Sequence, residues 1–161
     1  MNLLGDLREV VAADVDGDGD LDLLTTNGQV VDVRFNNGSG VFGGGSSLTI
    51  AGTSTGTTFG IIGLAVGDVD GDLDLLAAGA SSTGAVSLRL NNGSGVFSGG
   101  YDIPLGTNVI WPGTVALVDL DGDGDLDLLA SQWYAGFEFR FNQGTPTATH
   151  SAAVAGSELE L

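Results

Sequence analysis

Apolar and polar residues alternate along several short segments of this chain, and this pattern predicts β-strands that each bury one face. The alternation is clearest at residues 31–35 (VDVRF) and 137–141 (FEFRF), because successive side chains of a strand point to opposite faces of its sheet. No segment shows sustained helical periodicity. In the first third of the chain the pattern predicts four strands, at about 8–13, 21–26, 29–35 and 41–50.

The segments between the predicted strands recur along the chain. RFNNGSGVF at residues 34–42 recurs as RLNNGSGVF at 89–97 and, less closely, as RFNQG at 140–144, at spacings of 55 and 51 residues. The Asn-Gly pairs suit tight turns, because both residues tolerate positive φ. A period in this range predicts a propeller or solenoid. We therefore expect one all-β repeat domain, residues 1–161, made of three four-stranded β-propeller blades at about 1–55, 56–106 and 107–157.

An acidic loop lies near each end of the chain, as DVDGDGDLDLL at residues 14–24 and DLDGDGDLDLL at 119–129. Carboxylates at alternate positions repel one another by about 1 kcal/mol per close pair even in water, so the pattern implies a bound cation. The ligands are hard oxygens, with no His or Cys nearby, and this chemistry favours Ca²⁺.

The spacing within the first loop can be compared with the helical calcium loop. If Asp14 is position 1, side-chain carboxylates fall at positions 3, 5 and 9, and Asp20 at position 7 is expected to coordinate through its backbone carbonyl. Gly19 at position 6 permits a sharp turn. Position 12 is Thr25 here and Ala130 in the other loop, in place of the bidentate Glu of the helical motif. A strand is therefore predicted after each loop.

A third acidic loop between these two is shorter by two residues. Residues 68–76 read DVDGDLDLL, so the equivalents of Asp18 and Gly19 are absent. We expect a weak or empty metal site there. The loop is either a tight turn that keeps its acids by descent or a reorganised site.

The net charge of −17 comes largely from these loops, which hold 14 of the 21 acidic residues. The remaining acidic surface would repel nucleic acid and anionic membrane. Three of the four basic residues, Arg34, Arg89 and Arg140, occupy equivalent positions. We expect these arginines to form structural pairs, with Asp32 or Glu138 or with a neighbouring acidic loop, rather than to bind a ligand.

Three blades would leave two large apolar faces open, since propellers typically have four to eight blades. The chain is then either a piece of a longer propeller or a protein that self-associates, and we expect a homodimer that closes a six-bladed ring.

The chain contains no cysteine, which leaves its redox compartment open. Weak calcium loops of ~10⁻⁴ to 10⁻³ M affinity fit an extracellular setting. The apolar start at residues 1–4 is too short for a signal peptide, and no apolar run approaches 18 residues. If the protein is secreted or displayed at the cell surface, its export signal lies outside this chain.

The acidic loop followed by the Asn-Asn-Gly-Ser-Gly-Val-Phe turn resembles the FG-GAP or VCBS repeats of integrin α-subunit β-propellers and of many bacterial secreted proteins. The resemblance covers nearly the whole chain. It implies that each repeat is one blade, with calcium held between its first and second strands. Ligand status is implied for Asp14, Asp16, Asp18, Asp20, Asp22, Asp119, Asp121, Asp123, Asp125 and Asp127, and less securely for Asp68, Asp70, Asp72 and Asp74.

The expected function is a non-enzymatic, calcium-stabilised module for extracellular adhesion, scaffolding or protein interaction. A lectin of the same fold is the alternative, because Trp111, Trp133 and Tyr134 could stack on a sugar, although core or interface packing is favoured for them. A hydrolase that uses loop acids is a third hypothesis. His150 has no neighbouring motif that supplies a nucleophile. The repeats also fit a duplicated or engineered propeller fragment with no ligand of its own.

Overall fold

The computed structural model describes residues 7–50, 60–79, 84–105, 112–132 and 136–142. These residues form three antiparallel sheets and no helix. Sheet I contains β1 (Leu7–Ala13), β2 (Asp22–Asn27), β3 (Val30–Asn36), β4 (Phe42–Gly43) and β5 (Ser47–Thr49). Sheet II contains β6 (Ile61–Asp68), β7 (Leu73–Gly79), β8 (Ala85–Arg89) and β9 (Tyr101–Pro104). Sheet III contains β10 (Pro112–Val118), β11 (Asp127–Gln132) and β12 (Gly136–Arg140).

The predicted four-stranded unit is confirmed for sheet II and needs a correction in sheet I. In sheet I the single strand expected at 41–50 was wrong, because β4 and β5 are separate pieces that both pair with β3. Gly44 and Gly45 interrupt it, with φ of +63° and +92° that a regular strand cannot contain. The described part of sheet III has three strands, and the residues expected to supply a fourth lie outside the described ranges.

Each sheet is a meander in which neighbouring strands follow one another along the chain, except that β5 pairs with β3, and the register repeats from sheet to sheet. Leu24 of β2 lies opposite Val33, and the same pairing joins Leu76 to Leu88. In sheet III, Leu129 is the equivalent of these leucines and lies opposite Phe139. Because side chains alternate along a strand, this shared register fixes which residues of each sheet face the previous sheet and which face the next.

The core consists of two apolar layers between the sheets. Sheet II contributes alternate residues to both, so that Leu75 and Ala77 pack against sheet I, while Leu76 and Ala78 pack against sheet III. A strand buried on both faces reads as a continuous apolar run, and residues 75–78 (LLAA) do so.

The first strands of the three sheets are neighbours in space, with β6 in contact with both β1 and β10. This is the arrangement expected when successive repeats stack around a common centre. The all-β repeat fold is thus confirmed, and the described residues form no closed ring. The number of blades and the closure by a second copy remain predictions. No helix in the described ranges is long and apolar enough to cross a membrane.

Candidate metal centre

The acidic loops join the first two strands of each sheet, where the resemblance placed them. They connect β1 to β2, β6 to β7 and β10 to β11. Each loop is followed directly by a strand, as predicted from the missing acid at position 12. The loops therefore lie at equivalent positions in the three sheets.

The last aspartate of each loop is fully buried and accepts two backbone hydrogen bonds. Asp22 Oδ2 accepts from Val15 N at 3.1 Å, and its Oδ1 accepts from Asn36 N at 2.9 Å. Asp74 bonds Val69 N and Asn91 N in the same way. The third loop repeats the arrangement, with Asp127 accepting from Leu120 N at 2.8 Å and from Asn142 N at 2.7 Å. This carboxylate ties the loop to the end of the third strand of its own sheet.

The first aspartate organises the two longer loops. Asp14 Oδ1 accepts from Gly17 N at 2.8 Å and from Asp18 N at 3.1 Å, and its Oδ2 accepts from Gly19 N at 2.9 Å. Asp119 accepts from Gly122 N and Gly124 N in the same pattern. The predicted turn at position 6 is confirmed, since Gly19 and Gly124 have φ of +95° and +96°, a region that costs residues with a Cβ about 1 kcal/mol or more.

These turns gather carboxylates closely enough to share one ion. In the first loop, oxygens of Asp14, Asp16 and Asp18 lie within 4.8 Å of one another. In the third loop Asp119, Asp121 and Asp127 do so. Two oxygens on one Ca²⁺ are at most about 5 Å apart, because each Ca–O bond is 2.3–2.6 Å long. The donor set of both loops therefore fits calcium.

In both longer loops the pKa of the carboxylate at position 3 is raised. Loss of hydration and then the negative charges of Asp22, Asp18 and Asp14 raise the pKa of Asp16, although a hydrogen bond from Asp18 N lowers it. In the third loop, loss of hydration and the charges of Asp123, Asp127 and Asp119 likewise raise the pKa of Asp121. A divalent cation among these groups would remove the repulsion.

In the first and middle loops, the aspartate at position 7 lies beside the Asn-Gly turn of its own repeat. Asp20 lies against Gly38, where an added Cβ would come within 2.6 Å of its Oδ2. Asp72 has the same relation to Gly93, at 2.8 Å from Oδ1. This placement explains why a glycine follows the asparagine in these two turns. That position 7 would offer a metal its backbone carbonyl stays a prediction.

The middle loop keeps the buried aspartate but does not gather three carboxylates. Asp68 Oδ1 accepts from Gly71 N at 2.6 Å. Burial raises the pKa of Asp74, partly offset by its two backbone hydrogen bonds and reinforced by the charges of Asp70 and Asp68. Among the described residues, groups of three acids within 4.8 Å occur in the first and third loops only. The expectation of a weak or empty middle site stays a prediction.

Sequence reasoning missed the role of the asparagine that lies two residues after each of the three equivalent arginines. Asn91 is buried, and its Nδ2 donates to Leu73 O at 3.1 Å and to Val15 O at 2.8 Å. Val15 belongs to the first acidic loop, so Asn91 connects sheet II to the candidate metal centre of sheet I. The recurrence of Asn at 36, 91 and 142 is the sequence signal that could have indicated this role.

The three equivalent arginines form structural ion pairs, and two of them have the predicted partners. Arg34 pairs with Asp32 at 3.3 Å, and Arg140 pairs with Glu138. Sheet II has Ser87 at the acidic position, so Arg89 reaches across to Asp102 of β9 at 2.7 Å. The Ser87 hydroxyl donates to that same carboxylate at 2.7 Å.

Comparison with known families identifies the repeats. The model of the FG-GAP-like repeat matches residues 14–75 and again residues 68–130. The chain belongs to the FG-GAP-like repeat family. Both matches begin at the first aspartate of an acidic loop, so the acidic loops described above are part of the FG-GAP-like repeat. A comparison with curated proteins finds no significant match.

Among solved structures, a chain of the Tc holotoxin pore of Photorhabdus luminescens superimposes with a TM-score of 0.51 at 23% sequence identity. The similarity covers 81% of this FG-GAP-like chain and 6% of the toxin chain, so this chain spans a small part of the length of that one. At this identity the similarity supports the fold alone.

Residues of the alternative hypotheses lie outside the described ranges. These are Trp111, Trp133 and Tyr134, considered for sugar stacking, and His150, considered for catalysis.

Proposed function

We propose that this chain is a non-enzymatic, calcium-binding, β-propeller-like module that mediates protein interaction, adhesion or scaffolding outside the cell. The observation that carries the proposal is the gathering of three carboxylates within 4.8 Å in each of two loops. Membership of the FG-GAP-like family supports it, and so does the donor chemistry, which is oxygen throughout.

The residues proposed to hold calcium are the loop aspartates. Asp14, Asp16 and Asp18 would supply side-chain oxygens in the first loop, and Asp119, Asp121 and Asp127 would do so in the third. Asp127 can serve both its backbone donors and a metal, since each carboxylate oxygen has two lone pairs. Bound calcium would supply positive charge that stabilises each loop and would neutralise two negative charges per site.

The hydrogen bonds of these acids support a structural rather than a catalytic use. Asp14 and Asp119 each accept from backbone amides with both oxygens. The buried Asp22 and Asp127 hold strand ends. Carboxylates engaged in this way shape the loop, whereas a general acid or base needs free access to a substrate proton.

Calcium titration by calorimetry tests the proposal. The wild-type chain should bind two ions, and Asp16→Asn should remove the first site and leave one. Asp70→Asn in the middle loop is the matched control, because Asp70 aligns with Asp16, and it should leave the count at two. A chain that binds no calcium, or an Asp16→Asn variant that keeps both sites, would contradict the proposal.

The affinity tests the extracellular setting separately. A dissociation constant of about 10⁻⁴ to 10⁻³ M matches calcium concentrations outside cells. A submicromolar constant would instead match intracellular calcium signalling and would overturn the proposed location while leaving the metal site in place.

A further inference from the structure

Sheets I and III each have one face that packs against sheet II and one face that points away from it. The outward faces are equivalent, by the repeat, to faces that are buried between neighbouring sheets. We define the trailing face of sheet III as Leu129, Phe137, Phe139 and Phe141. Leu129 lies opposite Phe139, whereas the neighbouring pair of Ala130 and Glu138 points toward sheet II. The rings of Phe139 and Phe141 meet edge to face at 5.3 Å. The face directed away from sheet II is therefore aromatic and apolar.

The repeat shows what covers this kind of face. Phe137 is 53% exposed. The equivalent residues Val31 and Val86 are 0% exposed, because each packs against the next sheet along the chain. The same position is thus a core position in sheets I and II and an exposed aromatic residue in sheet III. The partner that would bury it by the same packing is another sheet of this repeat.

The complementary face lies at the other end of the molecule. We define the leading face of sheet I as Val10, Leu23, Thr25, Asp32 and Arg34, which cross-strand pairing places together. Thr25 of this face is already buried, at 5% exposed, whereas Val10 is 62% exposed. The equivalents of Val10, Leu64 and Val115, are 6% and 5% exposed against the preceding sheet.

The charges of the leading face do not oppose its burial. Arg34 and Asp32 already form an ion pair, and the corresponding pair of Arg140 and Glu138 is largely buried between sheets II and III. Arg140 also donates to Pro104 O of sheet II at 3.0 Å. A pair that stays intact on burial avoids the cost of an unpaired charge.

We propose that the trailing face of sheet III packs on the leading face of sheet I in a second copy of this chain, and that the reciprocal contact closes a ring of two copies. Head-to-tail contacts make closed rings when the rotation between copies permits it. Two copies of the three described sheets give six, within the range of four to eight blades known for propellers. The ring follows from the repeat geometry and does not depend on the metal.

Light scattering on the full chain in calcium tests the ring. The expected mass is twice the chain mass of 16.2 kDa. Phe137→Glu and Val10→Lys should each weaken the dimer on the order of 100-fold, because each places an unpaired charge in an apolar contact. Val96→Glu is the control and should remain dimeric, since Val96 is exposed on a turn of sheet II, whose faces are both covered. A monomeric wild-type chain, or dimeric Phe137→Glu and Val10→Lys variants, would overturn the proposal.

A mixing experiment tests the head-to-tail pairing. An equimolar mixture of Phe137→Glu and Val10→Lys chains should recover the dimer, because each mixed ring has one unaltered contact and one contact that pairs Glu with Lys. A contact between two identical faces would not be rescued in this way, so failure to recover would overturn the pairing. Calcium titration of the monomeric variants should still give two ions, which separates failure of the ring from failure of the metal site.

Discussion

The first and middle acidic loops share a framework and differ in what the framework gathers. Both end in a buried aspartate that ties the loop to a later strand, through Val15 and Asn36 in one and Val69 and Asn91 in the other. Only the longer loop also brings three carboxylates within 4.8 Å. The comparison separates two roles within one sequence motif. The last aspartate of the loop stabilises the sheet, and the other aspartates form the candidate ion site.

Calcium itself should have the largest effect on this comparison. At about 100 times the dissociation constant, each occupied site raises the free energy of unfolding by about 2.7 kcal/mol, so two sites give about 5 kcal/mol. Urea denaturation in calcium and in EDTA measures the difference. Equal midpoints in the two conditions would mean that the gathered carboxylates bind no ion.

Removing the buried aspartate of the middle loop isolates the structural role. Asp74→Ala orphans the amides of Val69 and Asn91, at about 1–3 kcal/mol for each unsatisfied group, so we expect a loss of about 3 kcal/mol. Because the middle loop is expected to bind calcium weakly or not at all, the loss should be equal in calcium and in EDTA. Asp70→Ala is the exposed control, with an expected change within about 0.5 kcal/mol. Equal losses in both variants would remove the distinction between the two roles.

Restoring the deleted pair should convert the middle loop into a metal centre. Insertion of Asp-Gly between Gly71 and Asp72 recreates the spacing of the first loop, and calorimetry should then count three calcium ions in place of two. The third site would add about 2.7 kcal/mol of stability at 100 times its dissociation constant. An Ala-Gly insertion has the same length without the carboxylate and should bind two. Three ions with Ala-Gly, or two with Asp-Gly, would show that the missing carboxylate does not decide occupancy.

The smallest predicted effect concerns the connection between the two loops. Asn91→Ala removes three side-chain hydrogen bonds, including the bond to Val15 O in the first loop. It should cost about 2 kcal/mol, since a buried carbonyl is left without its donor. Asn36→Ala is the matched control, because the Nδ2 of Asn36 bonds only Leu21 O at an exposed position, and it should cost less than 1 kcal/mol. Thermal unfolding compares the two variants. Equal costs would mean that the contact between sheets adds nothing.

Much of this fold was accessible from the sequence because its signals are local and repeated. The alternation at residues 31–35 located β3, and the acidic loops located the first hairpin of every sheet. The break between β4 and β5 was missed because the run of glycines at 43–45 was weighed as turn composition rather than as a point where a strand must stop.

The sequence indicated which aspartates form the acidic loops, but not which of them are buried and structural and which are exposed. Spacing alone cannot tell Asp22, which is buried and bonded to two amides, from Asp18, which is exposed. Both are aspartates at alternate positions, and the difference arises only when the third strand brings Asn36 back beside the loop. The hydrogen bond from Asn91 to Val15 likewise joins residues 76 positions apart, and a local sequence pattern cannot predict it.

The hydrogen bonds from backbone amides to Asp14 affect how quickly the first loop could bind and release an ion. Protein hydrogen bonds already hold its turn in shape, so an arriving ion would meet ligands in place and need not wait for a chain segment to order. The barrier to capture would then be mainly dehydration of the ion, and release would be governed by how strongly the neighbouring acids repel one another once it leaves. Salt weakens that repulsion between exposed groups over about 8–10 Å at physiological strength. The ionic composition of the surroundings would thereby set the residence time of calcium without any change in the protein.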